Sequence, residues 1–411
     1  MKRGFVLLAI LLPCFAFGQW GMQKKWHPMG PFEWPEQGVD SGQWSANGLG
    51  WIESLAVFES DPSIMYAGSG TGGLYRTQNG GKTWTFAFDV ERVCGVTDIV
   101  LDEHNPNHLW VATGTTYWDL DWGLGVLESF NGGRSWVTTG LYFRPEDQKP
   151  LWCLKRSSQN PDLFFACSET DIFRSRDGGK NWEVVFDRPD DSRVHFRHLS
   201  IHPTNDQRIV ASGDYVLTSM DGGTTWEDQS TKLMYRNQLT KTDSLPGRFA
   251  HAVNPQHGDQ LLVAYSYRYK DYVERSNDFG QTWEVILARS TFNRLDRTHA
   301  EIAWHPTDSN VVLIGCVRAF VSEDLGKTFR VSTQPKVDGA DYVHDDIRAI
   351  TITKDGRIYL GNDGGVAVSM DTGRTWSNVS GKGLTVTQFF DIAADYGRLA
   401  GGCQDLSSML W

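Results

Sequence analysis

The sequence predicts an all-β chain folded as a seven-bladed β-propeller, and three observations carry that reading. A short pattern, Ser/Thr-x-Asp/Asn-x-Gly-x-Thr-aromatic, recurs seven times along the 411 residues, with Ser135 and Asn181 in place of the Thr in two copies. Its acidic or amide positions are Asn79, Asn131, Asp177, Asp221, Asp278, Asp324 and Asp371, spaced 52, 46, 44, 57, 46 and 47 residues apart. Each interval holds short runs of β-branched and aromatic residues parted by Gly, Asp and Pro, the arithmetic of a four-stranded blade.

The elements follow in chain order. Met1-Lys2-Arg3, the apolar run to Phe17 and the small-x-small site Ala16-Phe17-Gly18 predict a secretory leader over 1–18, cleaved before Gln19. That run is too short to span a bilayer, and Pro13 ahead of Cys14 speaks against a lipid anchor. Residues 19–49 read as a lead-in segment and 50–384 as the propeller. Blade one sets the template: a first strand through Ile52 to Val57, a turn at Asp61-Pro62, a second strand through Ile64 to Gly68, a third through Gly73 to Arg76, then the box. Blade six repeats it with His305-Pro306 at the turn. Residues 385–411 open a further unit, since Gln388–Ala394 and Arg398–Gly402 read as first and second strands without a box. They either close an eighth blade with the segment around Gln43–Gly50 or begin a second propeller; the motif Gly401-Gly402-Cys403-Gln404-Asp405 favours the second.

The box reads as the turn between third and fourth strands. Its Asp or Asn side chain holds the turn's own amides, its Gly residues supply positive φ, and its Trp wedges into the sheet. The seven carboxylate or amide positions are therefore structural. Acid/base pairs must converge on one pocket, and these are spread around a ring.

Composition limits the partners. Lys and Arg number 39 against 50 Asp and Glu, a formal net charge of −11, which disfavours nucleic acid and anionic membranes. Hydrophobic residues make up 40% and aromatics 12%, too many for a disordered chain. After leader removal Cys94, Cys153, Cys167, Cys316 and Cys403 remain, an odd set that is no disulfide framework. Cys153 and Cys167 fall in register across blade three and form either a disulfide or two buried thiols. The sequence calls for no metal and no cofactor.

The repeated box resembles the Asp-box (BNR) repeat family of sialidases, xyloglucanase-type glycoside hydrolases, photosystem assembly factors and sortilin-type receptors. The resemblance covers about residues 50 to 411. Gly72-Gly73-Leu74-Tyr75-Arg76-Thr77, Val343-His344-Asp345-Asp346, Gly361-Asn362-Asp363-Gly364-Gly365 and Gly401–Asp405 are similar to motifs of the secreted sortilin-like propellers of Bacteroidetes. Leu406 departs from the Asn-Gly that usually follows the last motif. The leader predicts location outside the cytoplasm, secreted, surface-bound or periplasmic, and the resemblance implies a secretion-system partner.

In propellers of this kind ligands sit on the face opposite the boxes, around the central channel. The candidates there are the blade-two insertion with Tyr117, Trp118, Asp119, Asp121 and Trp122, the blade-five segment with Tyr267 and Tyr269, and His344, Asp345, Asn362 and Asp363 near blade seven. Rings beside carboxylates suit a glycan or peptide, because rings stack on apolar faces while carboxylates accept hydroxyl or amide hydrogens. His344 beside two carboxylates matches no recognised metal-ligand spacing.

Two functional classes remain open. The first is a non-catalytic recognition propeller for a glycan, peptide or protein partner. The second is a glycoside hydrolase. Against the second, no Arg-Ile-Pro is present, and Gly70 stands where xyloglucanase-type enzymes carry a carboxylate. A different carboxylate pair, such as Asp119 with Asp363, would then have to act.

Overall fold

A computed structural model describes residues 48–410 apart from 89, 91–94, 116–122, 188–195, 236–247, 293–294, 296–299, 334–341, 397 and 404–407. Seven four-stranded antiparallel sheets follow one another along the chain, each with its strands in sequential order. In blade one these are Ser54–Val57, Met65–Ser69, Gly73–Thr77 and Thr85–Phe86. The first strands of the other blades are Val96–Leu101, Leu151–Arg156, Phe196–Ile201, Ala250–Val253, Glu301–Trp304 and Ile347–Ile352. Each lies beside the next, and the last lies beside Ser54–Val57, so the ring closes at seven blades.

Packing explains the sequence pattern. Most second strands are buried along their whole length, as at Met65–Ser69, Leu109–Thr113 and Phe164–Ser168. A strand covered on both faces needs a continuous apolar run rather than alternation. Seven hydrophobic clusters fill the gaps between neighbouring blades. The closing gap holds Met65, Ala67 and Tyr75 of blade one with Tyr359, Val366 and Val368 of blade seven.

Both flanks of the propeller stitch this closure. Before blade one, the Leu49 amide donates to Gly364 O and the Ile52 amide to Asn362 O. After blade seven, the Gly381 and Lys382 amides donate to Gly81 O and Lys82 O, and Trp84 Nε1 donates to Val379 O. Tyr75 Oη donates to Thr385 O at 2.7 Å, and Thr387 Oγ1 to Leu49 O at 2.5 Å.

The three last strands, Phe389–Asp395, Arg398–Cys403 and Ser408–Leu410, form a separate sheet and take no part in the ring. An eighth closed blade is therefore not formed; the part of that alternative resting on residues 43–47 lies outside the described residues. Phe390 and Ile392 on the first of these strands are exposed.

Candidate functional site

The strand order fixes two faces. Turns between third and fourth strands lie at one end of the blades; the loops between second and third strands, and those leading into the next blade, lie at the other.

On the first face each box closes on itself. Asp221 Oδ1 accepts from the Thr225 amide at 2.8 Å and from Ser219 Oγ at 2.9 Å, while Ser219 Oγ accepts from the Gly223 amide at 2.8 Å. The same bonds recur around Asp177, Asp278, Asp324 and Asp371. Asn79 and Asn131 make them with an amide oxygen. The Thr375 amide, with smaller help from Thr375 Oγ1 and Ser369 Oγ, holds the Asp371 carboxyl at about 2. The box side chains are thus engaged within their own turns.

The opposite face surrounds the channel, and the first strands bring ionisable groups to its centre. They are Glu53, Asp98, Lys155, Arg197, His198, His251, Glu301 and Arg348, at least one from every blade. Glu301 of blade six feels Lys155, Glu53, Asp98 and Arg197 of blades three, one, two and four, which only a central position allows. Burial pushes its carboxyl up to about 8; Glu53 and Asp98 add to that, and Lys155 and Arg197 oppose it. His198 Nδ1 lies 3.6 Å from Glu301 Oε1, and burial takes this imidazole down to about 3. Lys155 Nζ holds Asp98 Oδ2 at 2.6 Å. His251 is buried between Ser212 Oγ at 2.7 Å and Ser200 Oγ at 3.0 Å, and burial drives it well below the usual imidazole range. Arg197 lies over Trp152, 4.2 Å from the ring centre; burial first, and repulsion from Arg248 second, bring its guanidinium down to about 9.

At the mouth of the channel Arg348 ties two carboxylates. Its guanidinium bonds Asp363 through Nε and Nη2 and lies 3.8 Å from Glu53 Oε2. Glu53 Oε2 also accepts from Trp51 Nε1 at 2.5 Å. Gly70 abuts this cluster, because a Cβ there would stand 3.1 Å from the Trp51 indole.

The predicted site residues separate into groups. Tyr117, Trp118, Asp119, Asp121 and Trp122 lie outside the described residues. Asp363 is buried and bound to Arg348. Asn362 is buried and caps the Gly364 amide through Oδ1 at 2.8 Å. His344 is buried, with Nδ1 3.0 Å from Asp345 O, and burial raises the Asp345 carboxyl. Among the described residues no three His, Cys, Asp or Glu side chains gather as a metal site.

The blade-five segment differs from its sequence reading. It is a hairpin: Leu261–Tyr267 and Lys270–Ser276 pair along their whole length and turn through Arg268 and Tyr269 alone. Tyr267 is only 5% exposed and packs on Tyr235, with ring centres 5.8 Å apart. Strand alternation places it on the same face as Tyr265, in the cluster between blades four and five. Tyr269 at the tip is 99% exposed.

Sequence reasoning missed the channel groups. The signal was one charged residue at or near the start of most first strands, at Glu53, Arg197, Glu301 and Arg348. Cys153 and Cys167 form a disulfide across the first two strands of blade three, and Cys316 is a buried free thiol; Cys94 lies outside the described residues.

Comparison with known proteins gives this geometry a context. No family model matches the chain. A xyloglucanase of Paenibacillus sp is 26% identical over 201 residues, 46% of this chain and 19% of that protein. The xyloglucanase Xgh74A of Acetivibrio thermocellus is 24% identical over 234 residues, 48% of this chain and 27% of that protein. The matches thus span less than a third of these relatives' own lengths. Among solved structures, the GH74 enzyme of Niastella koreensis superposes with a TM-score of 0.63 at 16% identity, covering 92% of this chain and 60% of that one. At that identity the likeness establishes the propeller fold.

Proposed function

We propose that this propeller belongs to a glycoside hydrolase and takes a polysaccharide of the xyloglucan class on the face opposite the boxes. The observation that carries the reading is the sequence match to two xyloglucanases over nearly half of the chain. The finer placement, an Asp-box propeller akin to secreted sortilin-like proteins, rests on the repeated box and the closing motifs. Work outside the cytoplasm, after removal of residues 1–18, is part of the proposal, and an N-terminus at Gln19 on the exported protein checks it.

The chemistry needs an acid and a base flanking the glycosidic bond. Glu53 and Asp363 at the channel mouth are both engaged by Arg348. The proposal therefore assigns one of the two carboxyl groups to the insertion 116–122, with Asp119 as the candidate. Incubation of the purified protein with xyloglucan, mixed-linkage glucan and carboxymethyl cellulose tests this by release of reducing ends. Release from xyloglucan, lost in Asp119→Asn, is expected. A protein that neither releases reducing ends from xyloglucan nor is retained on a xyloglucan gel would overturn the reading.

One observation favours a second reading, glycan or peptide recognition without cleavage. Position 70 lacks a carboxylate, and the Trp51 indole fills the space into which one would project. Retention on xyloglucan with no new reducing ends would select it.

A further inference from the structure

Blade five carries the longest hairpin of the propeller's described strands, with seven residues on each side of its turn. Its base is a block of rings. Tyr265 and Tyr272 stack with centres 5.1 Å apart and planes 9° from parallel, and Tyr235 and Phe249 pack on Tyr265 at 5.7 and 5.2 Å. Buried Glu274 fixes that block by accepting from the Tyr265 hydroxyl and from the Met234 amide at 2.9 Å.

The tip is fastened too. Asp271 Oδ2 accepts from the Thr291 and Phe292 amides, both at 2.7 Å, and Ser266 Oγ donates to Asp271 Oδ1 at 2.6 Å. Ser290 Oγ donates to Tyr269 O at 2.5 Å. The turn itself is costly. Arg268 and Tyr269 have φ of 49° and 63°, where Cβ crowds the following carbonyl and Gly or Asn is usual. Tyr269 also leaves its ring in water, forgoing the burial that makes aromatic side chains stabilising. Strain and exposure held in place by a rigid support are the marks of a contact surface.

We propose that this hairpin tip is a pyranose-stacking subsite, in which the Tyr269 ring packs on the apolar face of a sugar while Arg268 and Lys270 donate to its hydroxyls. The proposal rests on the glycan reading above. The two flanking cations are pure donors, suited to ligand oxygens. The acidic chain disfavours a nucleic-acid base as the stacking partner.

Titration calorimetry of the purified protein with xyloglucan oligosaccharides, and with cello-oligosaccharides of the same backbone length, tests the subsite. Tyr269→Ala is expected to weaken binding about tenfold, the scale of one lost ring contact. Tyr269→Phe keeps the ring and is expected to bind like the parent, and neither change should move the melting temperature. Equal affinity in parent and Tyr269→Ala would overturn the subsite and leave the glycan reading standing. A Tyr269→Phe variant as weak as Tyr269→Ala would overturn stacking as the mode of contact. Failure of the parent to bind either sugar would refute the glycan reading and the subsite with it, leaving the face to a protein partner.

Discussion

Arg348 stacks on Trp51, with its guanidinium carbon 4.0 Å from the ring centre. The pair joins the first strand of blade seven to the chain just ahead of blade one, so the ring is closed at its inner edge by a cation on an aromatic face. Glu53 and Asp363 complete the contact, and burial of the ion cluster makes each member depend on the others.

Arg348→Met should cost about 3–5 kcal/mol, because it leaves two buried carboxylates without their cation. Arg348→Lys keeps the charge but loses the planar fork and the stack, so it should fall between parent and Met variant. Urea denaturation midpoints check both. A Met variant as stable as the parent would show that the carboxylates find other partners.

The boxes give a graded test. Ser219→Ala removes the donor to Asp221 and leaves the buried Gly223 amide without its acceptor, a loss of about 1–3 kcal/mol. Asp221→Asn should be mild, since Asn79 and Asn131 hold the same turn with an amide. The carboxylates of Asp177, Asp221, Asp278, Asp324 and Asp371 are all held below their ordinary values by these bonds. Their contribution is therefore present above about pH 4 and lost as pH falls below it, for Asp371 towards about 2. Acid titration of circular dichroism should show that loss shifted in a variant with several boxes changed to Asn.

Glu301 works in the opposite sense. Its carboxyl titrates near 8 in the folded protein against 4.5 in the unfolded chain, so between these values the folded state holds a proton that the unfolded state has released. Stability should fall as pH rises through that window, by at most about 1.4 kcal/mol per pH unit from this group, and level off above 8. Glu301→Gln should match the parent near pH 4.5 and exceed it at pH 8. Parallel curves for the two proteins would place the carboxyl at its ordinary value.

The disulfide between Cys153 and Cys167 closes a loop of 14 residues in blade three. A non-reducing peptide map should show the linked pair. Changing both to Ala should lower stability by about 3 kcal/mol, the chain-entropy value for a loop of this length. A map with two free thiols would remove the basis for this expectation.

The fold was legible because its repeating unit is encoded locally. Ser219, Asp221, Gly223, Thr225 and Trp226 specify one turn within eight residues, and the other turns repeat that specification. The number of blades in the ring was less so, since closure depends on pairs such as Tyr75 with Thr385, 310 residues apart. The site was partly legible. Tyr267 and Tyr269 read alike, as two rings of one Tyr-rich segment. Tyr267 does not read as buried, because the same Tyr-rich segment serves as a loop or as a hairpin until its partner strand is known. The channel groups were hidden for another reason. One Glu or Arg at a strand end looks like any solvated charge until seven strands are brought around one axis.

The closing bonds also impose an order in time. Leu49 meets Thr387 across 338 residues of sequence, and Trp84 meets Val379 across 295. At a synthesis rate of about 5–20 residues per second, blade one waits on the order of 15–60 s for the chain that covers its outer flank. Met65, Tyr75 and Trp84 face that wait without their final neighbours, so early association with other chains should begin at blade one. A chaperone or export factor that protects the nascent protein would gain most by holding this first sheet.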